Sequence, residues 1–436
     1  VSVLWATASD RGVRATVVAA HEVAVSAGLA YLEANAGHTR VGRNGVRRMV
    51  TSGFVIAQFR HRSARSTRPG ERVGDPQLHS HCAILNRVRG VDGRWRTLDG
   101  EAIYRHAHAA GALYAAVLEF ELSDRLAVSW AVPDGRVPMR EIASVPGGVI
   151  ARFSLRREQV LTHFERLLVE WTAVHGRSPT RAERAGMLDE ATVRSRSAKR
   201  KGNETDLHDH WRAQLTPGEQ TVIDTVTGCQ LATDGGRMPA GSVKLAEAVL
   251  GSLHEQRAWW TRIHVFAEVA RLVQDPTVET IELEVERIIA GCLDLEPDRD
   301  HQYAQVDKTK FTSSVIKAAE ERVLTAAGQP APWKVDPLVT VGLGDDQVEA
   351  VGAICAGGYQ VATVIGPAGA GKTTMLTAAA ESYRHADRPV TVLTLSAAAA
   401  RVVTEETGLP ASTIAAWRVG QVKLPRHGLV IIDEVS

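Results

Sequence analysis

Three histidines in one short stretch have the residue type and the spacing to hold a metal ion. His79 and His81 lie two residues apart in DPQLHSHCAILN, and His61 comes just after the apolar run VIAQF. Residues two apart on a strand share one face, about 6.6 Å apart along it. Antiparallel pairing of the two segments would bring His61 beside them. Three imidazole nitrogens leave open positions for a substrate, so we predict a divalent-metal site that grips a phosphate.

The elements that position these histidines are two strands and the helices around them. Residues 55–59 (VIAQF) and 82–85 (CAIL) are apolar runs bounded by turn-forming residues. They predict two strands joined by a polar loop, with the paired histidines beginning the second strand. Residues 13–35 and 98–126 carry apolar side chains at helical spacing. Residues 126–137 predict a hairpin with an Asp-Gly turn, and together these elements predict one α+β domain.

The His-x-His pattern also occurs at His106/His108 and at His208/His210. Both pairs fall in helical patterns, where residues two apart are rotated by about 200° and diverge. We therefore interpret them as surface or packing histidines.

The segments around the first histidines resemble those of a known family. FRH, DPQLHSHCAILN, GRWRTLD and AIYRHAHAAGALYAAVLEFEL are similar to segments of MobF-class conjugative relaxases, the TrwC/TraI family. The resemblance implies an HUH-type relaxase fold in which the three histidines bind Mg²⁺ or Mn²⁺. The cation would polarise a phosphate of single-stranded DNA at a transfer origin while a tyrosine attacks it, giving a 5′-phosphotyrosyl intermediate. Conjugation coupling and secretion proteins are further partners that it implies.

The tyrosines of the chain do not match the position of the family's nucleophile. The chain opens at VSVLWATASD, which resembles the interior of the family's KSVS segment. Tyr31, Tyr104 and Tyr114 lie in helical stretches, and we interpret all three as packing residues. We therefore expect this chain to bind metal and DNA without nicking.

A second chemical motif, GPAGAGKTT, follows the apolar run VATVI and precedes MLTAAAESY. This is the strand, glycine loop and helix of a phosphate-binding loop, in which backbone N–H groups and the helix N-terminus bind the phosphates. Lys372 would reach the β- and γ-phosphates, and Thr373 would ligate Mg²⁺. The predicted nucleotide-binding residues are Gln347, Gly366, Pro367, Ala368, Gly369, Ala370, Gly371, Lys372, Thr373 and Thr374.

Two flanking segments support an ATPase. LVIIDE, at residues 429–434, is an apolar strand that ends in two carboxylates. Asp433 would hold Mg²⁺, and Glu434 would act as the general base that orients the attacking water. Upstream, LGDDQVEAV resembles the Q-type motif of RecD-like superfamily-one helicases, which implies that Gln347 recognises adenine. Because later helicase motifs, including an arginine, do not follow, we expect ATP binding with little hydrolysis.

The composition is that of an ordinary globular protein with an uneven charge. The net charge is +1, but residues 1–110 carry sixteen Arg against eight Asp or Glu, as a phosphate-binding face requires. Four scattered cysteines indicate neither a zinc site nor a disulfide framework. We find no run of eighteen apolar residues and no export signal, and we predict a cytoplasmic protein.

We predict a relaxase domain at 1–150, a helical connector at 151–305, a helix and linker at 306–340, and the first lobe of an α/β P-loop RecD-like helicase at 341–436. A basic run in the connector is either a solvated face or a contact for single-stranded DNA. Its members are Arg194, Arg196, Lys199, Arg200 and Lys201.

This order predicts a fragment of a conjugative relaxase-helicase, which nicks plasmid DNA and unwinds it with ATP. Two alternatives stay open, a chemically inert remnant that binds DNA and ATP, and a stand-alone RecD-like repair helicase.

Overall fold

The structure is a computed structural model. It describes residues 1–45, 47–64, 73–131, 140–175, 179–195, 207–228, 236–297, 308–331, 333–338, 342–366 and 370–433. The chain forms two compact units, Val1–Ile316 and Lys317–Ser436.

The first unit combines long helices with short antiparallel strands. Its helices are α1 (Ser2–Thr7), α2 (Arg11–Ala36), α3 (Gly100–Leu126), α4 (Gly147–Arg152), α5 (Leu155–His175), α6 (Arg181–Arg194), α7 (Leu207–Arg212), α8 (Pro217–Asp224), α9 (Val243–Gln256), α10 (Arg262–Leu272) and α11 (Val278–Ile289). Its strands are β1 (His38–Val41), β2 (Arg47–Val50), β3 (Ile56–Ser63), β4 (Pro76–Ile84), β5 (Val88–Arg89), β6 (Trp95–Arg96), β7 (Leu293–Asp294) and β8 (Phe311–Thr312). Helix α12 (Ser314–Ala327) contains the point of division.

Helices α2 and α3 pack against each other at the centre of this unit. Asp10 begins α2, because its carboxylate accepts a hydrogen bond from the Gly12 N–H. The two helices approach closely at Gly28, where an added Cβ would lie 3.3 Å from the Ala110 carbonyl oxygen. A side chain at this position would push the two helices apart by a few tenths of an ångström, so glycine suits the close approach. The predicted helices at 13–35 and 98–126 are confirmed with slightly different ends.

Two hydrophobic clusters fill the unit. One joins α1 and α2 to α3, α7 and α8, and includes Leu4, Val17 and Trp211. The other packs α9, α10 and α11 against α2 and α3, around Tyr31 and Phe266. The helices beyond residue 242 thus share a core with those that support the histidine strands. The proposed boundaries at 150 and 305 stay predictions.

By length and composition, α2 is the helix among the described residues that is apolar enough to cross a membrane, with a mean hydropathy of 1.4. The core helix of a soluble protein passes the same test. Val17, Ala20, Ala24 and Tyr31 of α2 are buried in the two clusters. This packing accounts for its apolar composition.

The second unit contains a small parallel sheet in the order β10-β9-β11, with β9 (Val390–Thr394), β10 (Ala411–Thr413) and β11 (Leu429–Ile432). Its helices are α13 (Asp345–Ala356), α14 (Lys372–His385), α15 (Ala397–Thr407) and α16 (Ile414–Arg418). Val351, Met375, Val392 and Ile431 pack in its core. The carboxyl ends of β9 and β11 meet at one edge because the strands are parallel.

Candidate metal centre and nucleotide site

The register of β3 and β4 brings the three predicted histidines together. His61 lies directly opposite His79, and His81 follows two residues along β4 on the same face. One ring nitrogen from each residue lies within 4.8 Å of those of the other two. The ring centroids are 4.4 to 5.2 Å apart. The two strands therefore present three imidazoles to one point.

The strands are longer than the apolar runs that predicted them. β3 continues through the polar residues Arg60 to Ser63, and β4 begins at Pro76, so the prediction that the histidines begin the second strand is wrong. Antiparallel strands tolerate polar residues where one face meets water. The register shifts between His61 and Ser63, just beyond the histidines. Such an irregularity increases the local twist of a strand pair.

The tautomer of His79 follows from its hydrogen bond. His79 Nδ1 lies 2.9 Å from the Gln77 carbonyl oxygen. A carbonyl only accepts, so Nδ1 carries a proton, and in the neutral ring the lone pair is on Nε2. Metal-binding histidines are commonly oriented by such a bond to their second nitrogen.

The opposite face of the strand pair is held by α2 and α3. His21 is buried, with Nε2 2.9 Å from Ser80 Oγ and Nδ1 2.9 Å from Tyr114 Oη. Burial lowers the pKa of His21, and Arg60 lowers it further. Burial also raises the pKa of Tyr114 to about 12. Both groups are thus neutral hydrogen-bonding partners that anchor the residue between the two histidines of β4. His21 was not predicted from the sequence, because nothing in its spacing links it to Ser80.

The donor set fits a divalent transition metal. Three imidazole nitrogens suit Zn²⁺, Cu²⁺, Ni²⁺ and Fe²⁺, bind Mn²⁺ more weakly within the same series, and suit Mg²⁺ least because it prefers oxygen ligands. His61 and His79 are partly buried and His81 is exposed. One side of the site therefore opens to solvent, where a substrate oxygen can approach.

The helical His-x-His pairs and the three tyrosines considered above are not part of the three-histidine group. As predicted, the helical His-x-His pairs do not converge: His106 contacts the Tyr31 hydroxyl, His108 contacts Arg271, and His208 donates to the Ala6 carbonyl. Tyr31 and Tyr114 pack as predicted. The prediction is wrong for Tyr104, which is 86% exposed. It lies on the stripe of α3 that faces solvent.

In the nucleotide-binding motif, the glycine loop leads directly into helix α14, as predicted. Gly371 has a φ of +69°, which glycine adopts readily, and α14 begins at Lys372. Lys372 Nζ donates to the Gly366 carbonyl at 2.8 Å. Gln347 Nε2 donates to the Ala370 carbonyl at 2.8 Å, and its Oε1 accepts from the Gly344 N–H at 3.0 Å. A Cβ at position 371 would lie 2.4 Å from Gln347 Nε2. The predicted adenine-recognition residue therefore packs on the glycine loop.

The remaining nucleotide residues are partly outside the described chain. Thr373 and Thr374 lie exposed in the first turn of α14, and Asp433 follows β11, where its N–H donates to the Leu393 carbonyl. The predicted residues Pro367, Ala368, Gly369 and Glu434 lie outside the described residues.

The strand predicted to precede the glycine loop is absent. Residues 361–366 join no strand of the described sheet, and Ile365 is 93% exposed. A strand exists through hydrogen bonds to a neighbour, and an apolar run such as VATVI does not specify that neighbour. The residue types of this run therefore indicate a tendency to form a strand, but they do not indicate a strand with which it would pair.

The predicted DNA contacts of the connector are also only partly described. Arg194, at the end of α6, pairs with Glu190 at 2.6 Å on an exposed surface. Arg196, Lys199, Arg200 and Lys201 lie outside the described residues, as does the Asp-Gly turn of the predicted hairpin. Trp211 is buried and donates to the Gly74 carbonyl, so it is not available to stack on bases.

Comparison with known families agrees with this geometry. Residues 1–217 match the TrwC relaxase model, and residues 342–436 match the AAA domain model. A probable conjugal transfer protein TraA from Sinorhizobium fredii is 35% identical over 98 residues, which is 22% of this chain and 9% of that protein. The chain thus matches only a small part of the length of this curated relative.

Solved structures of a relaxase are also similar in sequence. The metal-free conjugative relaxase TrwC in complex with oriT DNA is 30% identical, covering 49% of this chain and 67% of that one, with a TM-score of 0.38. Its metal-bound structure is 29% identical, covering 51% and 67%, with a TM-score of 0.39. Superposition at this level does not establish a common fold, so the family models and the side-chain geometry carry the assignment.

Proposed function

We propose, because the chain belongs to the MobF-class relaxase-helicase family, that its first unit binds a phosphate of single-stranded DNA through a divalent cation held by His61, His79 and His81. The chain combines an α+β HUH-type relaxase domain with an α/β P-loop domain. The observation that supports this most is the convergence of three imidazole nitrogens within 4.8 Å at a partly open face. We further propose that the chain serves the nicking of plasmid DNA at a transfer origin by tyrosine transesterification, coupled to ATP-driven unwinding in the cytoplasm.

When bound, the cation would neutralise charge that develops on the phosphate. The residues of this chain hold and orient it. The Gln77 carbonyl keeps the His79 proton on Nδ1 and leaves Nε2 for coordination. On the opposite face, His21 anchors Ser80 and so limits movement of β4. The arginine excess of residues 1–110 attracts the DNA backbone.

The proposal predicts that affinity for single-stranded DNA depends on the metal. We expect Mn²⁺ to strengthen binding of a fluorescein-labelled oligonucleotide by roughly 10- to 150-fold, the value of one charge-assisted contact. Fluorescence anisotropy with Mn²⁺ and with a chelator measures it. The same DNA affinity in both conditions would contradict the proposal.

We also propose that the second unit binds Mg-ATP through Lys372, Thr373 and Asp433, with Gln347 at the adenine. Lys372→Ala is expected to weaken ATP binding by roughly 10- to 150-fold, because one charge-assisted contact to phosphate is lost. Displacement of a fluorescent ATP analogue measures this. The matched control is Lys423→Ala, which removes an exposed lysine from the same unit. Equal affinities of both variants would exclude the assignment.

A further inference from the structure

An exposed aromatic ring lies on the same face as the three histidines. Phe59 is directly opposite His81 in the antiparallel register, as His61 is opposite His79. Directly opposed residues share one face of a strand pair, with Cβ atoms about 4.5 to 5.5 Å apart. The Phe59 ring is therefore the next side chain along β3 from the metal ligands.

The position of Phe59 distinguishes it from an ordinary exposed apolar residue. The residue is 57% exposed, and scattered exposed apolar residues are ordinary in proteins. Phe59, however, belongs to the face that opens at the histidines. The next opposed pair, Ala57 and Ala83, is exposed and small. Neither residue of that pair is large enough to cover the ring from that side.

The other face of the two strands is already occupied. Arg60 pairs with Glu22 of α2, and Ser80 contacts His21. A ligand therefore approaches the strand pair from the side of the histidines. A nucleotide chain whose phosphate lies at the histidines would carry its neighbouring bases over this face.

We propose that Phe59 is a stacking platform for a base of the single-stranded DNA whose phosphate binds at His61, His79 and His81. This inference rests on the proposed function and adds a base-binding subsite to it. Aromatic side chains stack on any base through its π-face. The subsite therefore holds the strand next to the scissile phosphate without selecting its sequence.

The test removes the ring and the bases separately. With Mn²⁺ present, Phe59→Ala is expected to weaken binding of an oligothymidylate of about twelve nucleotides by roughly 5- to 150-fold. A matched oligomer with abasic sugars throughout keeps the phosphates and loses the bases. On this oligomer, Phe59→Ala and the wild type are expected to agree within about twofold, because the contact is already missing.

Three variants sharpen the experiment. Phe59→Trp is expected to retain the affinity for oligothymidylate. Phe59→Leu keeps an apolar side chain without a π-face and is expected to lose it. Phe120→Ala removes a partly exposed phenylalanine from α3 and is expected to match the wild type on both oligomers. Calorimetric titration with Mn²⁺ should give the same metal affinity for Phe59→Ala as for the wild type.

The possible failures are distinguishable. If the wild type binds oligothymidylate equally with and without Mn²⁺, the proposed function fails. If that dependence is present but Phe59→Ala binds like the wild type, or loses equal affinity on both oligomers, the stacking inference is wrong. A loss of Mn²⁺ affinity in Phe59→Ala would make the residue a support for the histidines. A changed oligomeric state with unchanged DNA affinity would make it a protein contact.

Discussion

Replacing His79 with alanine is expected to lower the affinity for Mn²⁺ by on the order of 100-fold or more, because loss of a residue that only orients a ligand already costs 10- to 100-fold. Among the described His, Cys, Asp and Glu side chains, His61, His79 and His81 form the one group of three whose ligand atoms all lie within 4.8 Å of one another. Removal of one imidazole leaves two donors and no nearby substitute in that group. His61→Ala and His81→Ala should therefore have similar effects, measured by isothermal titration calorimetry.

The control for this experiment is His175→Ala, which removes an exposed histidine at the end of α5. Its Mn²⁺ affinity should equal that of the wild type. The metal-site variants remove partly or fully exposed side chains, so they should retain the fold, which circular dichroism would check. Affinities of all three variants within about twofold of the wild type would exclude the site.

The convergence of the histidines was predictable because strand geometry is local. A period of two places His79 and His81 on one face whatever the rest of the fold does. The position of His61 required an antiparallel pair in the right register, which the two apolar runs alone do not specify. The predicted convergence of the three side chains is confirmed. Their role as metal ligands stays a prediction.

Predictions that depended on distant neighbours were less successful. VATVI has the composition of a strand, but residues 361–366 join no described sheet. Tyr104 has the composition of a packing residue, but its helix presents it to solvent. His21 contacts Ser80, 59 residues later in the chain. Each outcome is decided by tertiary packing, which residue type and spacing do not specify.

The two units also differ in the elements that carry their chemistry. The metal ligands lie on paired strands, with a buried anchor behind them. The phosphate loop depends on backbone N–H groups of a glycine segment, and the first turn of α14 carries Lys372 and Thr373. Side-chain geometry therefore supports the metal centre, whereas the sequence motif carries more of the argument for the nucleotide site.

The largest loss of stability in the first unit is expected from replacing a buried carboxylate. Glu119 of α3 accepts hydrogen bonds from Arg140 at 3.0 Å and from Arg237 at 2.6 Å, and all three side chains are at most 8% exposed. The two arginines also donate to the last carbonyls of α10 and to that of Val273. The partial negative charge at this helix end compensates the second guanidinium. Glu119 thus links α3 to α10.

Glu119→Ala is therefore expected to destabilise the first unit by about 3 to 5 kcal/mol, because it removes the carboxylate that both buried guanidinium groups contact. Glu119→Gln keeps the shape but not the charge, and should also be destabilising. Amide hydrogen exchange of α3 and α10 in the whole chain measures the loss regionally. Glu170→Ala, which breaks the exposed pair with Arg166, should change exchange by less than about 0.5 kcal/mol. Equal exchange in Glu119→Ala and Glu170→Ala would mean that relaxation or entering water satisfies the arginines, and that the link between α3 and α10 contributes little stability.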